Sequence, residues 1–231
     1  MGCVGAILAA AGSGLRFNQN SKPKQFIELG GRPLYVWSLD VLAKNERVDQ
    51  IIICTLEHMV KDVADEARSL FPNKEIYVTA GGATRQDSVL KGLIELKKFH
   101  LEYVLVHDAA RPFLTNQMIN STIECVKKHG ACTAAIPVGD TVKKVQNQII
   151  TETVDRSNLI LVQTPQAAKY DWLLQAHELA QQKGFATTDD AALLEACGHS
   201  VAVFAGSPCN IKVTQKEDIV MAELLSGSFR L

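Results

Sequence analysis

The chain has 231 residues, of which 47% are apolar and 21% are charged, with 24 basic side chains against 25 acidic ones. A chain of this length and composition can bury one substantial core, which excludes wholesale disorder. The near-zero net charge argues against a general nucleic-acid binder and against a polybasic membrane binder. Apolar runs stay shorter than the roughly 18 residues of a membrane span, so no membrane association is expected.

Six cysteines are spread along the sequence without a Cys-x-x-Cys pair. No basic region precedes the apolar run at 3–11, which is therefore interpreted as the first strand rather than as a signal peptide. Without a secretory signal the cysteines are expected to be reduced thiols in a cytoplasmic protein.

Short apolar runs alternate with amphipathic helical patterns along the chain. Such alternation predicts an α/β domain with a mostly parallel sheet covered on both faces. No Pro-, Gly- or Ser-rich linker divides the chain, so we expect one domain over residues 1–231. The predicted strands are 4–10, 50–55, 75–78, 103–106, 132–137 and 200–204. The predicted helices are 34–43, 57–70, 86–96, 116–128 and a last helix from residue 214.

Two of these helices carry a recognisable start. Thr84 is a candidate N-cap with Asp87 three residues later, and Thr214 with Glu217 has the spacing of a capping box. The sequence therefore predicts that the last helix begins at Thr214.

Residues 140–165 break the alternation because they contain no convincing helix. Their pattern indicates two extended strands joined near residues 146–148, an inserted β-arm. A hairpin cannot bury much surface alone, so a second subunit is the simplest partner for it.

The strongest local signal is the turn Gly12-Ser13-Gly14, which follows a predicted strand. Glycines let backbone N–H groups approach a phosphate, and the nearby cations Arg16, Lys22 and Lys24 indicate triphosphate binding. A dinucleotide-binding turn would need a third glycine, and a P-loop would need a motif that the chain lacks. An ordinary surface loop with solvated cations remains a third interpretation.

Two further segments lie at or just after the ends of predicted strands and carry candidate ligand contacts. Gly81-Gly82-Ala83 precedes a helix whose first turn holds Ser88, which places backbone amides at the carboxyl edge of a parallel sheet. Asp108 at the next strand end can accept ribose hydroxyls or approach a metal-bound triphosphate. His107 beside it is more typical of a structural histidine than of a catalytic base.

Nine blocks together make the chain similar to the cytidylyltransferases of isoprenoid synthesis, nearly from end to end. They include Gly-Gly-Ala-Thr-Arg-Gln-Asp-Ser-Val at 81–89, Val-His-Asp-Ala-Ala-Arg-Pro at 106–112 and Asn-Ile-Lys-Val-Thr at 210–214. The others lie at 10–16, 23–25, 137–143, 155–157, 163–166 and 188–191. Any one block could be accidental, whereas all of them in this order are highly specific.

The resemblance implies a single Rossmann-like nucleotidyltransferase domain with a β-arm at about 140–165 that forms a homodimer. It implies transfer of a cytidylyl group from CTP to 2-C-methyl-D-erythritol 4-phosphate in the non-mevalonate isoprenoid pathway. The products would be pyrophosphate and 4-diphosphocytidyl-2-C-methyl-D-erythritol, with Mg²⁺ accompanying CTP and Asp108 as its candidate ligand.

The resemblance also implies residue roles. Arg16 and Lys24 would be catalytic. Asp189 and Asp190 have the pattern of an acidic first turn of a helix, so no catalytic role is assigned to them. The nucleotide site would comprise Ala10, Ala11, Gly12, Ser13, Gly14, Gly82, Ala83, Ser88, Asp108, Ala109 and Arg111. The second substrate would meet Thr164, Thr188 and Lys212 of the same subunit and Thr141 and Arg156 of its neighbour.

Three alternatives remain. A ribitol-5-phosphate cytidylyltransferase would share the fold and the nucleotide chemistry. The missing third glycine and the Lys24 loop argue against a nicotinamide-dependent dehydrogenase. The retained cations argue against a catalytically silent nucleotide-binding module. Cys209 stands near a position where some relatives carry an acidic residue that holds the hydroxyls of the sugar alcohol. Cysteine at this position would weaken those polyol contacts without affecting the phosphate chemistry.

Overall fold

The computed structural model describes residues 2–12 and 23–227, without the side chain of Lys24. Within these ranges seven strands form one central sheet in the order β11-β7-β10-β6-β1-β4-β5. The strands are β1 (Val4–Ala9), β2 (Glu28–Leu29), β3 (Arg32–Pro33), β4 (Gln50–Thr55), β5 (Ile76–Ala80), β6 (Tyr103–Asp108), β7 (Ala131–Pro137), β8 (Val142–Gln146), β9 (Ile149–Val154), β10 (Ile160–Lys169) and β11 (Ala202–Ala205).

The sheet is parallel except at β10. The strands β6, β1, β4 and β5 pair in parallel, as do β7 and β11, while β10 runs antiparallel between β6 and β7. The carboxyl ends of β1, β4, β5 and β6 therefore meet at one edge, where open α/β sheets bind ligands.

Helices cover both faces of the sheet, and successive side chains of β1 point alternately into the core on each face. Leu8 packs on the side of α1 and α4, with Leu39 and Ile123, whereas Ile7 packs on the side of α3 and α5, with Leu93. The helices are α1 (Leu34–Lys44), α2 (Val60–Leu70), α3 (Arg85–Leu96), α4 (Asn116–His129), α5 (Tyr170–Lys183), α6 (Asp190–Ala196) and α7 (Lys216–Ser226). No helix in the described ranges is long and apolar enough to cross a membrane.

The six predicted strands are confirmed, with ends shifted by up to two residues, and the prediction at 50–55 matches β4. The capping box of Thr84 and Asp87 at α3 is also present. The predicted start of the last helix is wrong: α7 begins at Lys216, and Gln215 forms the capping box with Asp218. Asp218 also accepts bonds from the backbone and hydroxyl of Thr214, which leaves Thr214 outside the helix. The sequence prediction did not include α5.

The β-arm is present but shorter than predicted. Strands β8 and β9 pair as an antiparallel hairpin, and the turn residues Asn147 and Gln148 both have positive φ. Residues 160–165 lie in β10 of the central sheet instead, so the projecting arm spans 142–154. Its apolar side chains Val145, Ile149 and Ile150 are 60–69% exposed.

Candidate active site

Three loops meet at the carboxyl edge of the sheet. Beyond β1, the N–H of Ala10 donates to the carbonyl of Cys54 at 2.7 Å. Beyond β5, the N–H of Gly81 donates to the carbonyl of Thr55 at 2.7 Å, and beyond β6, Ala109 donates to Ala9 at 3.1 Å. These bonds extend the strand ladder and bring the turns after β1, β5 and β6 side by side.

Glycines allow two of these loops to touch. A Cβ atom on Gly81 would lie 2.2 Å from the Cβ atom of Ala11, and one on Gly82 would lie 2.2 Å from the Cβ atom of Asp87. By contrast, a Cβ atom on Gly12 would meet nothing within 4 Å among the described atoms. The turn at 81–82 is therefore packed against its neighbours, whereas no described atom packs against Gly12 in this way.

The buried Ser88 hydroxyl fixes the turn after β5. It accepts from the N–H of Gly82 at 3.0 Å and donates to the carbonyl of Thr84 at 2.8 Å. A hydroxyl has one donor and two acceptor sites, so one lone pair remains. A free acceptor suits the exocyclic amine of cytosine, and the base-binding roles of Gly82, Ala83 and Ser88 stay predictions.

The predicted catalytic segment is anchored to β1 by Gln25. The buried Gln25 amide donates to the carbonyl of Ala10 at 2.6 Å, within the 3₁₀ helix Lys24–Phe26. The backbone of Lys24 thus lies beside the turn after β1. Its side chain and the predicted residues Ser13, Gly14 and Arg16 fall outside the described residues.

Asp108 lies between two cations. Its Oδ1 atom accepts from Nε of Arg85 at 2.7 Å, and its Oδ2 atom contacts Nζ of Lys212 at 2.6 Å. Burial alone would raise the pKa of Asp108, but the charges of Arg85 and Lys212 outweigh it and hold the pKa well below its usual range. The carboxylate is therefore ionised at neutral pH, and it fixes the ammonium group of Lys212 at the edge of the site.

Comparison with known proteins gives the family. The family model described as 2-C-methyl-D-erythritol 4-phosphate cytidylyltransferase matches residues 4–227. A protein of that name from Bacillus cytotoxicus is 44% identical over 217 residues, which cover 94% of this chain and 95% of the relative. The chain belongs to this cytidylyltransferase family.

Solved structures agree with that assignment. A 4-diphosphocytidyl-2C-methyl-D-erythritol synthase from Anaerococcus prevotii is 30% identical with a TM-score of 0.85, covering 98% of this chain and 99% of that one. The 2-C-methyl-D-erythritol 4-phosphate cytidylyltransferase from Thermus thermophilus is 31% identical with a TM-score of 0.79, covering 98% and 100%. The predicted fold class and the predicted family are both confirmed.

In this cytidylyltransferase fold the Thr164 hydroxyl is buried and bonded within the protein, and its predicted contact with the second substrate stays a prediction. Burial lowers the pKa of His107 to about 4, so its ring is neutral, and Nε2 donates to the carbonyl of Arg111 at 3.0 Å. The Nδ1 atom of His107 must then accept the Thr164 hydroxyl proton at 3.1 Å. Thr164 in turn accepts from the N–H of Asp108 at 3.1 Å. Both residues hold the end of β6 in place, which confirms His107 as structural.

Two other residues of the predicted nucleotide site have structural contacts. Ala109 is fully buried and its N–H is bonded to Ala9, so it packs the end of β6 against β1, and its place in the nucleotide site stays a prediction. Arg111 donates from Nη1 to the carbonyl of Asn210 at 2.8 Å, and burial lowers its pKa. Arg111 thereby ties the loop after β6 to the segment that carries Lys212.

Three predicted second-substrate residues are exposed outside the described contacts of Asp108 and Lys212. Thr141 and Arg156 are exposed at the base of the arm, where Arg156 donates to the carbonyl of Gly139. Thr188 is exposed just before Asp189, the N-cap of α6. Among the described residues none of the three hydrogen-bonds to Asp108 or Lys212, so their roles stay predictions.

The donor set fits Mg²⁺ only as a companion of phosphate. The described part of the chain contains no cluster of three or more His, Cys, Asp or Glu side chains that could hold a metal. Magnesium is usually bound through one or two carboxylates together with substrate phosphates. The ionised Asp108 can supply one such oxygen, although Arg85 and Lys212 share it.

The sequence prediction missed Arg85 and Asp190 as site residues. Arg85 stood only within the matching block at 81–89, and Asp190 was interpreted as part of an acidic first turn of a helix. In the structure they form an ion pair at 2.8 Å, and Asp190 is 1% exposed. A charged pair across 105 positions leaves no local sequence signal, although Arg85 lies inside a matching block.

Proposed function

We propose that this chain transfers a cytidylyl group from CTP to 2-C-methyl-D-erythritol 4-phosphate. The observation that carries the proposal is the meeting of the turns after β1 and β5 and of the Asp108–Lys212 pair at one sheet edge. Small residues in these turns allow a ligand to approach the backbone, and the fixed cations beside them suit a nucleoside triphosphate. Membership of the cytidylyltransferase family supports the choice of CTP and of the polyol phosphate.

The proposed step is an in-line displacement. A phosphate oxygen of 2-C-methyl-D-erythritol 4-phosphate attacks the α-phosphorus of CTP, the bond to the bridging oxygen of the β-phosphate breaks, and pyrophosphate leaves with that electron pair. No strong base is required, because a phosphate monoester is already anionic near neutral pH. The protein then contributes positioning and neutralisation of charge. Arg16 and Lys24 would neutralise the α-phosphoryl group, and Lys212, held by Asp108, would add a further cation at the site.

Magnesium is part of this proposal. Asp108 would hold the ion together with the triphosphate oxygens, and a bound divalent cation neutralises the charge of the leaving pyrophosphate. Because the chain itself offers one suitable carboxylate here, affinity for Mg²⁺ is expected to depend on CTP.

A homodimer through the arm is a further part of the proposal. Exposed Val145, Ile149 and Ile150 on the hairpin are apolar side chains that a second subunit would cover, which supports this arrangement. Thr141 and Arg156 would then reach the neighbouring active site.

We also propose a cytoplasmic location, on the basis of the dispersed cysteines, which are free thiols in the described residues.

The central experiment follows pyrophosphate release from CTP and Mg²⁺ with either 2-C-methyl-D-erythritol 4-phosphate or ribitol 5-phosphate. We expect release with the first acceptor and at most about 1% of that rate with the second, since polar misfit is strongly discriminated. Equal rates would favour the ribitol alternative, and nicotinamide reduction without pyrophosphate release would favour a dehydrogenase.

A matched pair of lysine variants tests the catalytic assignment. Lys24→Ala is expected to lower kcat by about 10²–10³-fold, the usual effect of removing one preorganised contact. Lys61→Ala, an exposed lysine in α2, serves as the control and should leave turnover unchanged. Turnover of Lys24→Ala within about threefold of wild type would remove this assignment.

Subunit mixing tests the arm. Lys24→Ala and Arg156→Ala should each inactivate a homodimer, and the mixture should regain activity because one site of the heterodimer has both residues. Absence of recovery despite demonstrated subunit exchange would count against a shared site.

A further inference from the structure

A second buried carboxylate, that of Asp190, contacts the same arginine as Asp108. Asp190 begins α6 and is 1% exposed, and its Oδ2 atom accepts from Nη2 of Arg85 at 2.8 Å. The same guanidinium uses Nε for Asp108 at 2.7 Å. Because the guanidinium is planar and rigid, these two bonds on one edge fix its orientation.

Asp190 is itself held from two sides. Its N–H and that of Ala191 donate to the side-chain oxygen of Gln166, at 2.9 and 3.0 Å. Its Oδ1 atom meets Nε2 of the buried His177 at 3.0 Å. Gln166 lies in β10 opposite Val106 of β6, so the start of α6 is attached to the strand that ends in Asp108.

The charges form a connected row. Arg85 bridges Asp108 and Asp190, and the partly exposed Lys212 pairs with Asp108. Burial would raise the pKa of Asp190, but the charge of Arg85 and the bond from His177 lower it, so the carboxylate is ionised. A buried charge is tolerated only when it is paired, which makes each member of the row dependent on the others.

We propose that Asp190 is a positioning residue for the nucleotide, acting through Arg85 to fix Asp108 and, through Asp108, Lys212. This inference rests on the proposed function, since it assumes that Asp108 and Lys212 face CTP. Asp190 lies behind Arg85 and takes no direct part in binding. His177 and Gln166 keep its carboxylate aimed at Arg85.

The test uses Asp190→Asn, which preserves shape while removing the charge that holds Arg85. Calorimetry with CTP in the absence of acceptor is expected to give a Kd about tenfold higher, since bonds to charged groups are among the stronger ones. Asp62→Asn, an exposed carboxylate in the first turn of α2, is the matched control and should not change Kd. An unchanged or lower Kd for Asp190→Asn would overturn the proposal, because a purely long-range charge effect strengthens the binding of an anion.

A double-mutant cycle separates positioning from general structural support. Arg85→Lys keeps the charge but cannot bridge two carboxylates with a rigid fork, so it should also weaken CTP binding. In that background Asp190→Asn should add less than about twofold, because its route to Asp108 is already broken. Independent effects that multiply would contradict the inference.

Folding is checked by the melting temperature of each variant. Should Asp190→Asn fail to fold, the double variant Arg85→Gln/Asp190→Asn removes one charge of each sign and is expected to fold while binding CTP about tenfold more weakly. A folded double variant with wild-type affinity would overturn the proposal.

The wild-type protein is measured first, which separates the two hypotheses. Absence of CTP binding by the wild-type protein refutes the proposed function. Normal binding by the wild type together with an unchanged Kd for Asp190→Asn refutes the positioning role alone.

Discussion

Replacing Gly81 with alanine is expected to disturb the nucleotide edge through a single added methyl group. The new Cβ atom would lie 2.2 Å from the Cβ atom of Ala11 and 2.8 Å from Oγ of Ser88. Carbon atoms in contact usually lie about 3.5–4.0 Å apart, so one of the two loops must shift by roughly 1.5 Å. Overpacking of this kind costs about 1–3 kcal/mol, which is about 2–12 °C in melting temperature for a chain of this size.

The functional effect of Gly81→Ala should exceed its effect on stability. Each of the two loops carries predicted nucleotide contacts, so whichever one shifts, a misplacement by about 1 Å can cost about 10²-fold in rate. We therefore expect kcat/KM for CTP to fall by about 10²-fold in the pyrophosphate-release assay. Gly227→Ala is the matched control, since its Cβ atom would meet nothing closer than Leu224 O at 3.8 Å. A melting temperature within about 1 °C of wild type together with kcat/KM within about twofold would refute the reasoning.

Three further predictions address the anchor, the buried histidine and the arm. Gln25→Ala leaves the buried carbonyl of Ala10 without its donor and should lower the free energy of unfolding in urea by about 1–3 kcal/mol; an unchanged midpoint would show that the bond contributes nothing. Burial lowers the pKa of His107 from 6.5 to about 4, so the unfolded state binds the extra proton between these values. Stability should therefore fall by roughly 3 kcal/mol as pH drops through that range, and His107→Gln should show a flatter dependence; equal slopes would contradict this. Ile149→Lys places a charge on the 69% exposed arm residue and should convert a dimer into monomers by light scattering, whereas a persisting dimer would exclude the arm as the interface.

Local sequence patterns predicted the elements that carry the site, because their physics is local. The apolar run at 50–55 matches β4, since a strand buried on both faces must be apolar throughout. Thr84 with Asp87 gave the start of α3, since a capping box lies within four residues. The same argument failed at Thr214, where Asp218 rather than Glu217 collects the donors. Several caps were possible there, and their geometry decided between them.

The roles of individual polar side chains were less predictable. Thr164 was expected to face substrate, but its hydroxyl links His107 to the backbone of Asp108. A threonine in a matching block has the same sequence signal whether it binds a ligand or supports a strand end. The predicted arm was also too long, because residues 160–162 pair with β7 as the start of β10 instead of continuing the hairpin.

Sequence patterns were sufficient for the α/β class, the six predicted strands, the hairpin and the family to which the chain belongs. Asp108 and Lys212 could also be selected, because they stand in matching blocks. The packed fold was needed to show that Arg85 joins Asp108 to Asp190, and that Gln166 and His177 contact Asp190. The physical reason is distance along the chain: propensity, capping and periodicity act within a few residues, whereas a buried charge is paired with whichever partner the packing brings within about 3 Å.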